Sequence, residues 1–272
     1  MPDGSLPGFQ ASTFTHGGVS REVFRAGTGP AVIVIHEVPG LHPEAIAFGR
    51  RVVDAGFTVY MPSLFGTPGK AFGWGYTMRS IAGACVAREF VTMATDRTSP
   101  IISWLRRLAA DAQAECGGPG VGAVGMCFTG GFALGMMVDE TMLAPVLSQP
   151  SLPFPIGKGR KASIGISDAD FERVKKRAAD GACLLWLRFT ADPAVRPERF
   201  ETLRRELGDA FIAVEIDSSR GNPHGIKRRA HSVLTLDLVD EPGHPTRAAL
   251  EQVLAFLQER LLRVGVEISR VR

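Results

Sequence analysis

The 272-residue sequence predicts an α/β fold: a mostly parallel sheet of about seven or eight strands with helices on both faces. Three observations carry this. "AVIVIHE" (31–37) and "TVYMPSLFG" (58–66) are short apolar, β-branched runs of the kind that parallel sheets bury on both faces. Between them, "PEAIAFGRRVVDAGF" spaces its apolar residues as a helix does and ends near Gly56, so the three segments form a βαβ unit. Strand and helix patterns then alternate almost to the end of the chain.

In order, a polar opening precedes "REVFRAG", which alternates and is expected to be an edge strand, and the βαβ unit follows. Thr67 to Gly75 is rich in glycine and proline and reads as a loop, with helices expected at Ile81 to Met93 and Ile101 to Ala114. "VGAVGMC" is the next strand and "GGFALGMMVDE" its helix, after which "MLAPVLSQP" and "ACLLWLRFT" are strands. The segment 151–181 between those two is a proline-containing loop leading to a helix capped near Ser167 or Asp168, and it offers a possible lid-like insertion. "PERFETLRREL" is helical, "AFIAVEI" is a strand and "RAALEQVLAFLQERL" is a last amphipathic helix. With 45% apolar residues the chain can bury one large core, so a single domain over 1–272 is expected.

Composition narrows the function classes. A net charge of +3 is mild, and the basic runs 158–161, 175–177 and 227–229 are dispersed among acidic residues, so no concentrated face for nucleic acid is expected. No apolar stretch approaches the ~20 residues of a membrane helix, and the start lacks the pattern of a leader. Four widely spaced cysteines, Cys85, Cys116, Cys127 and Cys183, without Cys-x-x-Cys argue against zinc or a disulfide framework and fit a reducing cytoplasm. No metal is expected at His36, Glu37 and His42 either, because the histidines are six apart and Pro39 and Gly40 interrupt any helix. Gly120 to Gly125 matches Gly-x-Gly-x-x-Gly, but the strand residues lie inside the match, where a dinucleotide fingerprint needs a turn. No cofactor is expected.

One stretch carries chemistry. In "GAVGMCFTGG" (122–131) glycines flank a cysteine where an apolar run stops, as a strand turning sharply into a helix requires. Hydrolases hold a nucleophile at such a tip, usually in Gly-x-Ser-x-Gly; here the tip is Cys127 and the second glycine comes one place late. A buried structural thiol is the bland alternative. Position favours reactivity, since a helix N-terminus lowers a thiol pKa and the carboxyl end of the sheet is where open α/β sheets bind ligands. The chain order nucleophile, acid, histidine is also present. Asp192 follows a buried strand and competes with a helix-capping role, while His224 or His231 is the base, His244 reading as a cap of the last helix.

These residues resemble the dienelactone hydrolase family of α/β-hydrolases. The resemblance covers "AVIVIHEVPGL", "GFTVYMPSLFG", "VGAVGMCFTGG", the acid after "LLWLRFTAD", and "AHSV" with the last helix. It implies the α/β-hydrolase fold and a hydrolase that cleaves a small-molecule ester, lactone or thioester through an acyl-enzyme. It favours His231, followed by Ser232, over His224. It also implies that Glu37 hydrogen-bonds the resting thiol, and that the backbone N–H groups of Phe128 and Val38 form the oxyanion hole. One departure limits the substrate: where the family carries an arginine for a substrate carboxylate, four residues after the histidine, this chain has Thr235; Arg79 and Arg88 align with no certainty to the other arginine. A non-hydrolytic ligand-binding protein, a redox-responsive thiol protein, or an acyl transferase or cyclase using the same cysteine are the competing readings. Either a monomer or a homodimer is compatible with the sequence.

Overall fold

The computed structural model describes residues 6–86, 99–152 and 163–262. Its strands are β1 (Gln10–His16), β2 (Val19–Ala26), β3 (Ala31–Ile35), β4 (Thr58–Pro62), β5 (Val121–Met126), β6 (Met142–Ser148), β7 (Leu184–Phe189) and β8 (Phe211–Ile216). They form one sheet in the order β1-β2-β4-β3-β5-β6-β7-β8, antiparallel at β1-β2 and β2-β4 and parallel from β4 onward. The helices are α1 (Pro43–Asp54), α2 (Trp74–Val86), α3 (Pro100–Cys116), α4 (Phe132–Met136), α5 (Asp168–Ala179), α6 (Pro197–Leu207) and α7 (Pro245–Leu261).

The two-residue period of the strands sorts the core into two layers. Val32, Val34, Val124, Met126, Val146, Leu185 and Leu187 face α1 and α7. Ile33, Ile35, Ala123, Leu147 and Trp186 join a second layer with α3 to α6. Every residue of β3, β4, β5 and β7 is buried, as the continuous apolar runs require. The chain leaves β3 for β4 on one side and returns past it to β5 on the other, so the sheet's topological switch point lies between the ends of β3 and β5. Ligands bind in that crevice in open α/β sheets.

Four expectations are refined. "REVFRAG" belongs to β2, which is one strand in from the edge; the polar opening is β1, paired with it through a turn at Gly17 and Gly18, whose φ values of 58° and 76° suit a tight hairpin. β1 exposes almost every residue, so no apolar alternation announced it. Helix α2 begins at Trp74, inside the expected loop; Trp74 and Met78 are exposed, so no amphipathic pattern marks this start in the sequence, and the part of Ile81 to Met93 beyond Val86 lies outside the described residues. Helix α4 is only five residues long, and the chain after it is caught by Arg177, whose guanidinium donates to the carbonyls of Met137 (2.6 Å), Glu140 (3.0 Å) and Met142 (2.9 Å).

In the segment 151–181, helix α5 is the crossover between β6 and β7, capped by Ser167 and buried through Val174; residues 153–162 of the lid-like insertion lie outside the described residues. Among the described residues no helix is long and apolar enough to cross a membrane.

Candidate active site

At the end of β5 the chain turns through Cys127, whose φ of 53° is one of two positive values among the described non-glycine residues. A side chain in that region is strained and persists only when its surroundings hold it. A Cβ on Gly125 would meet the Thr129 carbonyl oxygen at 2.5 Å, and one on Gly130 would meet Pro150 Cα at 2.6 Å, so both must be glycine. At Gly131 the same atom would find nothing nearer than 3.9 Å. The second glycine of the turn is therefore Gly130, which explains the late spacing in the sequence. Thr129, fully buried, ties the turn to β3: its hydroxyl lies 3.1 Å from the Ile35 carbonyl oxygen and 3.0 Å from those of His36 and Met126, and accepts from the Met126 N–H at 3.2 Å.

Asp192 follows β7, and His231 lies in the loop before α7. His231 Nδ1 donates to Asp192 Oδ2 at 2.6 Å, while Asp192 Oδ1 accepts from the Ala194 N–H at 2.9 Å. Burial would lower the His231 pKa, but the nearby Cys127 sulfur and the hydrogen-bonded Asp192 carboxylate raise it well above the ordinary imidazole value. His231 thus sits within the electrostatic reach of Cys127 and is hydrogen-bonded to Asp192. Asp237 fixes the backbone at His231, accepting from the N–H groups of His231 (2.8 Å) and Ser232 (3.0 Å). His224 is elsewhere: it is exposed, with its ring 5.5 Å from that of His244, which caps α7.

Glu37 follows β3 and is almost wholly buried. Its carboxylate accepts from Ser232 Oγ at 2.7 Å, from Gln149 Nε2 at 3.3 Å and from the Thr235 hydroxyl, and pairs with His42 Nε2 at 3.3 Å. Burial alone would raise its pKa; His42 and the two hydroxyls hold it below the ordinary carboxylate value. His42, which also contacts Glu44 at 2.9 Å, is raised in turn against its own burial. This differs from the arrangement implied by the resemblance: among the described residues no hydrogen bond joins Glu37 to Cys127, whose sulfur instead lies 3.6 Å from Ser151 Oγ. His36 is buried as a neutral ring, Nδ1 donating to the Glu37 carbonyl oxygen at 2.9 Å and Nε2 accepting from the Leu64 N–H at 3.0 Å.

Val38 and Phe128 are both buried, Val38 in the loop after β3 and Phe128 directly after Cys127 in the 3-10 turn Cys127–Thr129. Phe65 packs edge-on against both the His36 ring (4.5 Å) and the Phe128 ring (5.7 Å), joining those two loops.

A family model for the dienelactone hydrolase family matches residues 21–261. The chain belongs to this family. No curated protein is similar enough to count as a relative. Among solved structures, the dienelactone hydrolase from Anabaena variabilis is 14% identical with a TM-score of 0.56, over 93% of this chain and 98% of that one. A dienelactone hydrolase-like promiscuous phosphotriesterase from metagenomic libraries is 18% identical with a TM-score of 0.55, over 93% and 98%. A cold-adapted esterase from an Arctic intertidal metagenomic library is 13% identical with a TM-score of 0.58, over 94% and 96%. At such identities the likeness shows the α/β-hydrolase fold. Four residues after His231 this chain has Thr235, whose hydroxyl donates to Glu37. Arg79 is exposed on α2, and Arg88 lies outside the described residues, as does the side chain of Cys85.

Sequence reasoning missed Thr129, Gln149, Ser151, Arg199 and His42 as parts of the site. Only His42, beside Glu37 in the same short loop, left a trace in the motif.

Proposed function

We propose that the protein is a cysteine-nucleophile hydrolase of the dienelactone hydrolase type, cleaving an ester, lactone or thioester through an acyl-enzyme in a reducing cytoplasm. The observation that carries this reading is the His231–Asp192 hydrogen bond, with His231 held toward its charged form by Asp192 and the nearby Cys127. His231 takes the proton of the Cys127 thiol as the sulfur becomes the nucleophile. The sulfur attacks the substrate carbonyl, the oxyanion is received by the backbone N–H groups of Phe128 and Val38, and the carbon–leaving-group bond breaks as His231 gives that group its proton. Water then adds to the thioester with His231 as base, the C–S bond breaks, the carboxylic acid leaves, and the Cys127 sulfur takes back its proton from His231. Asp192 keeps Nδ1–H in place and favours the imidazolium throughout.

Glu37 acts in this reading as a positioning carboxylate: through Ser232 and Thr235 it holds the loop that carries His231. Because its partner Thr235 is a neutral hydroxyl, we expect neutral acyl substrates to be preferred over those bearing a carboxylate.

The test is turnover of 4-nitrophenyl acetate, a neutral lactone, a dienelactone acid and an acyl thioester by wild type and Cys127→Ala. A loss of about 10⁴-fold or more in the variant is expected. Equal rates in both proteins would overturn the mechanism, and binding without turnover in either would favour a ligand-binding role. Product analysis with an added alcohol or amine separates hydrolysis from acyl transfer.

A further inference from the structure

Cys127 has a neighbour that takes no part in the steps above. Ser151 comes three residues after the end of β6 and holds Cys127 at two points: its backbone N–H donates to the Cys127 carbonyl oxygen at 3.0 Å, and its hydroxyl lies 3.6 Å from Sγ. Ser151 is only 6% exposed, so water competes little for that hydroxyl.

The loop presenting it is firmly built. The Gln149 N–H donates to the Leu187 carbonyl oxygen at 2.8 Å, and the Gln149 side-chain oxygen accepts from the Val233 N–H at 3.3 Å, tying the loop to β7 and to the base loop. Pro150 lies against Gly130, where there is no room for a Cβ. Arg199 on α6, with no exposed surface, directs one guanidinium nitrogen to the carbonyl oxygens of Pro150 (3.0 Å) and Leu152 (3.2 Å), on either side of Ser151. A buried cation is costly unless its hydrogen bonds are met. Here those bonds fix the two peptide units that flank Ser151.

We propose that Ser151 is a positioning residue for the nucleophile, its hydroxyl donating to the Cys127 thiolate, and that Arg199 holds it in register. This rests on Cys127 being the reacting thiol. A hydrogen bond to the charged form of an acid favours that form, so the Ser151 O–H adds to what His231 does for the thiolate. No proton leaves Ser151: when the sulfur lone pair becomes the S–C bond, the hydroxyl loses its charged acceptor and regains it when the acyl group departs. The role matches the vacancy left by Glu37, whose oxygens are directed to Ser232, Thr235, Gln149 and His42.

The experiment is the pH profile of Cys127 alkylation by iodoacetamide, read on the Cys127 peptide by mass spectrometry so that the other cysteines do not contribute. In Ser151→Ala the midpoint is expected to rise by roughly half to one pH unit, lowering the alkylation rate about 3- to 10-fold below it, and Ser151→Thr is expected to restore the wild-type profile. Arg199→Lys, whose single ammonium replaces the fork, is expected to shift the midpoint in the same direction, and it carries the test should Ser151→Ala not fold. A midpoint unchanged in Ser151→Ala, even with lowered thermal stability, overturns the proposal. The readout needs no substrate: full turnover in Cys127→Ala would sink the nucleophile assignment, whereas an unmoved midpoint with Cys127→Ala inactive would sink only the role of Ser151.

Discussion

The two sides of the site are held by different forces. On the base side, the loop carrying His231 is fixed by charged groups: Asp192 on the ring, Asp237 on two backbone N–H groups, and Glu37 with His42 behind Ser232 and Thr235. On the nucleophile side, the turn through Cys127 is fixed by want of space at Gly125 and Gly130 and by neutral hydrogen bonds from Thr129 and Ser151, with the Arg199 guanidinium one step removed, behind the Ser151 loop. The base side should therefore fail when charge changes at constant volume, and the nucleophile side when volume changes at constant charge.

The largest effect is expected from Asp192→Asn, which keeps size and removes charge. The amide can offer its NH₂ to Nδ1, leaving the ring's proton on the nitrogen that must face Cys127 as a base. A fall in kcat of about 10⁴-fold is expected with KM and thermal midpoint little altered, by analogy with the same change in serine-protease triads. Steady-state kinetics beside a melting curve checks it. A loss under tenfold would mean that the base side does not work through charge.

The complementary change adds one methyl group and no charge. Gly125→Ala would press its Cβ to 2.5 Å from the backbone oxygen of Thr129, which cannot swing away as a side-chain tip could. Overpacking of this kind costs about 3 kcal/mol, and the same displacement moves Cys127, so activity should fall further than stability. Gly131→Ala is the control: its backbone is helical at φ −70° and the new atom meets nothing closer than 3.9 Å. Denaturant titration should place that variant within roughly 0.5 kcal/mol of wild type. Equal losses at both positions would remove the steric account of the turn.

The pair of glycines also marks what the sequence could and could not disclose. Strands β3 to β8 were legible because burial on both faces, or on one, leaves continuous or alternating apolar runs, whereas β1, paired along its full length but exposed on most positions, leaves none. Cys127 and Asp192 stood out by chain order, each after a strand, while the third member stayed open between His224 and His231 until the family resemblance favoured His231. Their supports were not legible. Thr129 bonds to a residue 94 positions away and Thr235 to one 198 away, and hydroxyls on loops look alike in a sequence whether they meet water or a buried carboxylate. Arg199 is the clearest case: in "PERFETLRREL" its charge predicts a solvated helix face, yet it is fully buried beneath the Ser151 loop. Glu37 was found by its place, but its partners depend on how loops from four elements meet.

The smallest expected effect lies at the seam between the two sides, where His36 donates to the Glu37 carbonyl oxygen while its own carbonyl oxygen faces the Thr129 hydroxyl. Burial, with the nearby His42 charge as a lesser cause, pushes the His36 pKa from 6.5 down to about 4. The unfolded chain therefore takes up a proton near pH 6.5 that the folded one refuses until about pH 4, and stability is lost as pH falls through that interval. The base side supplies no compensating slope there. His42 and His231 have raised values, so their contributions are already complete below pH 6.5, and the contribution of Glu37, whose value is lowered, fades only below about pH 4.5. Between pH 6.5 and pH 5 the wild type should lose about 2 kcal/mol through His36 alone, at ~1.4 kcal/mol per pH unit. Urea titrations at the two pH values, repeated on His36→Gln, separate this from the titration of the carboxylates: the variant should start less stable and lack that slope. An identical slope in both proteins would show that the seam is not held by a neutral ring, and the division between a charge-held and a space-held side would have to be drawn elsewhere.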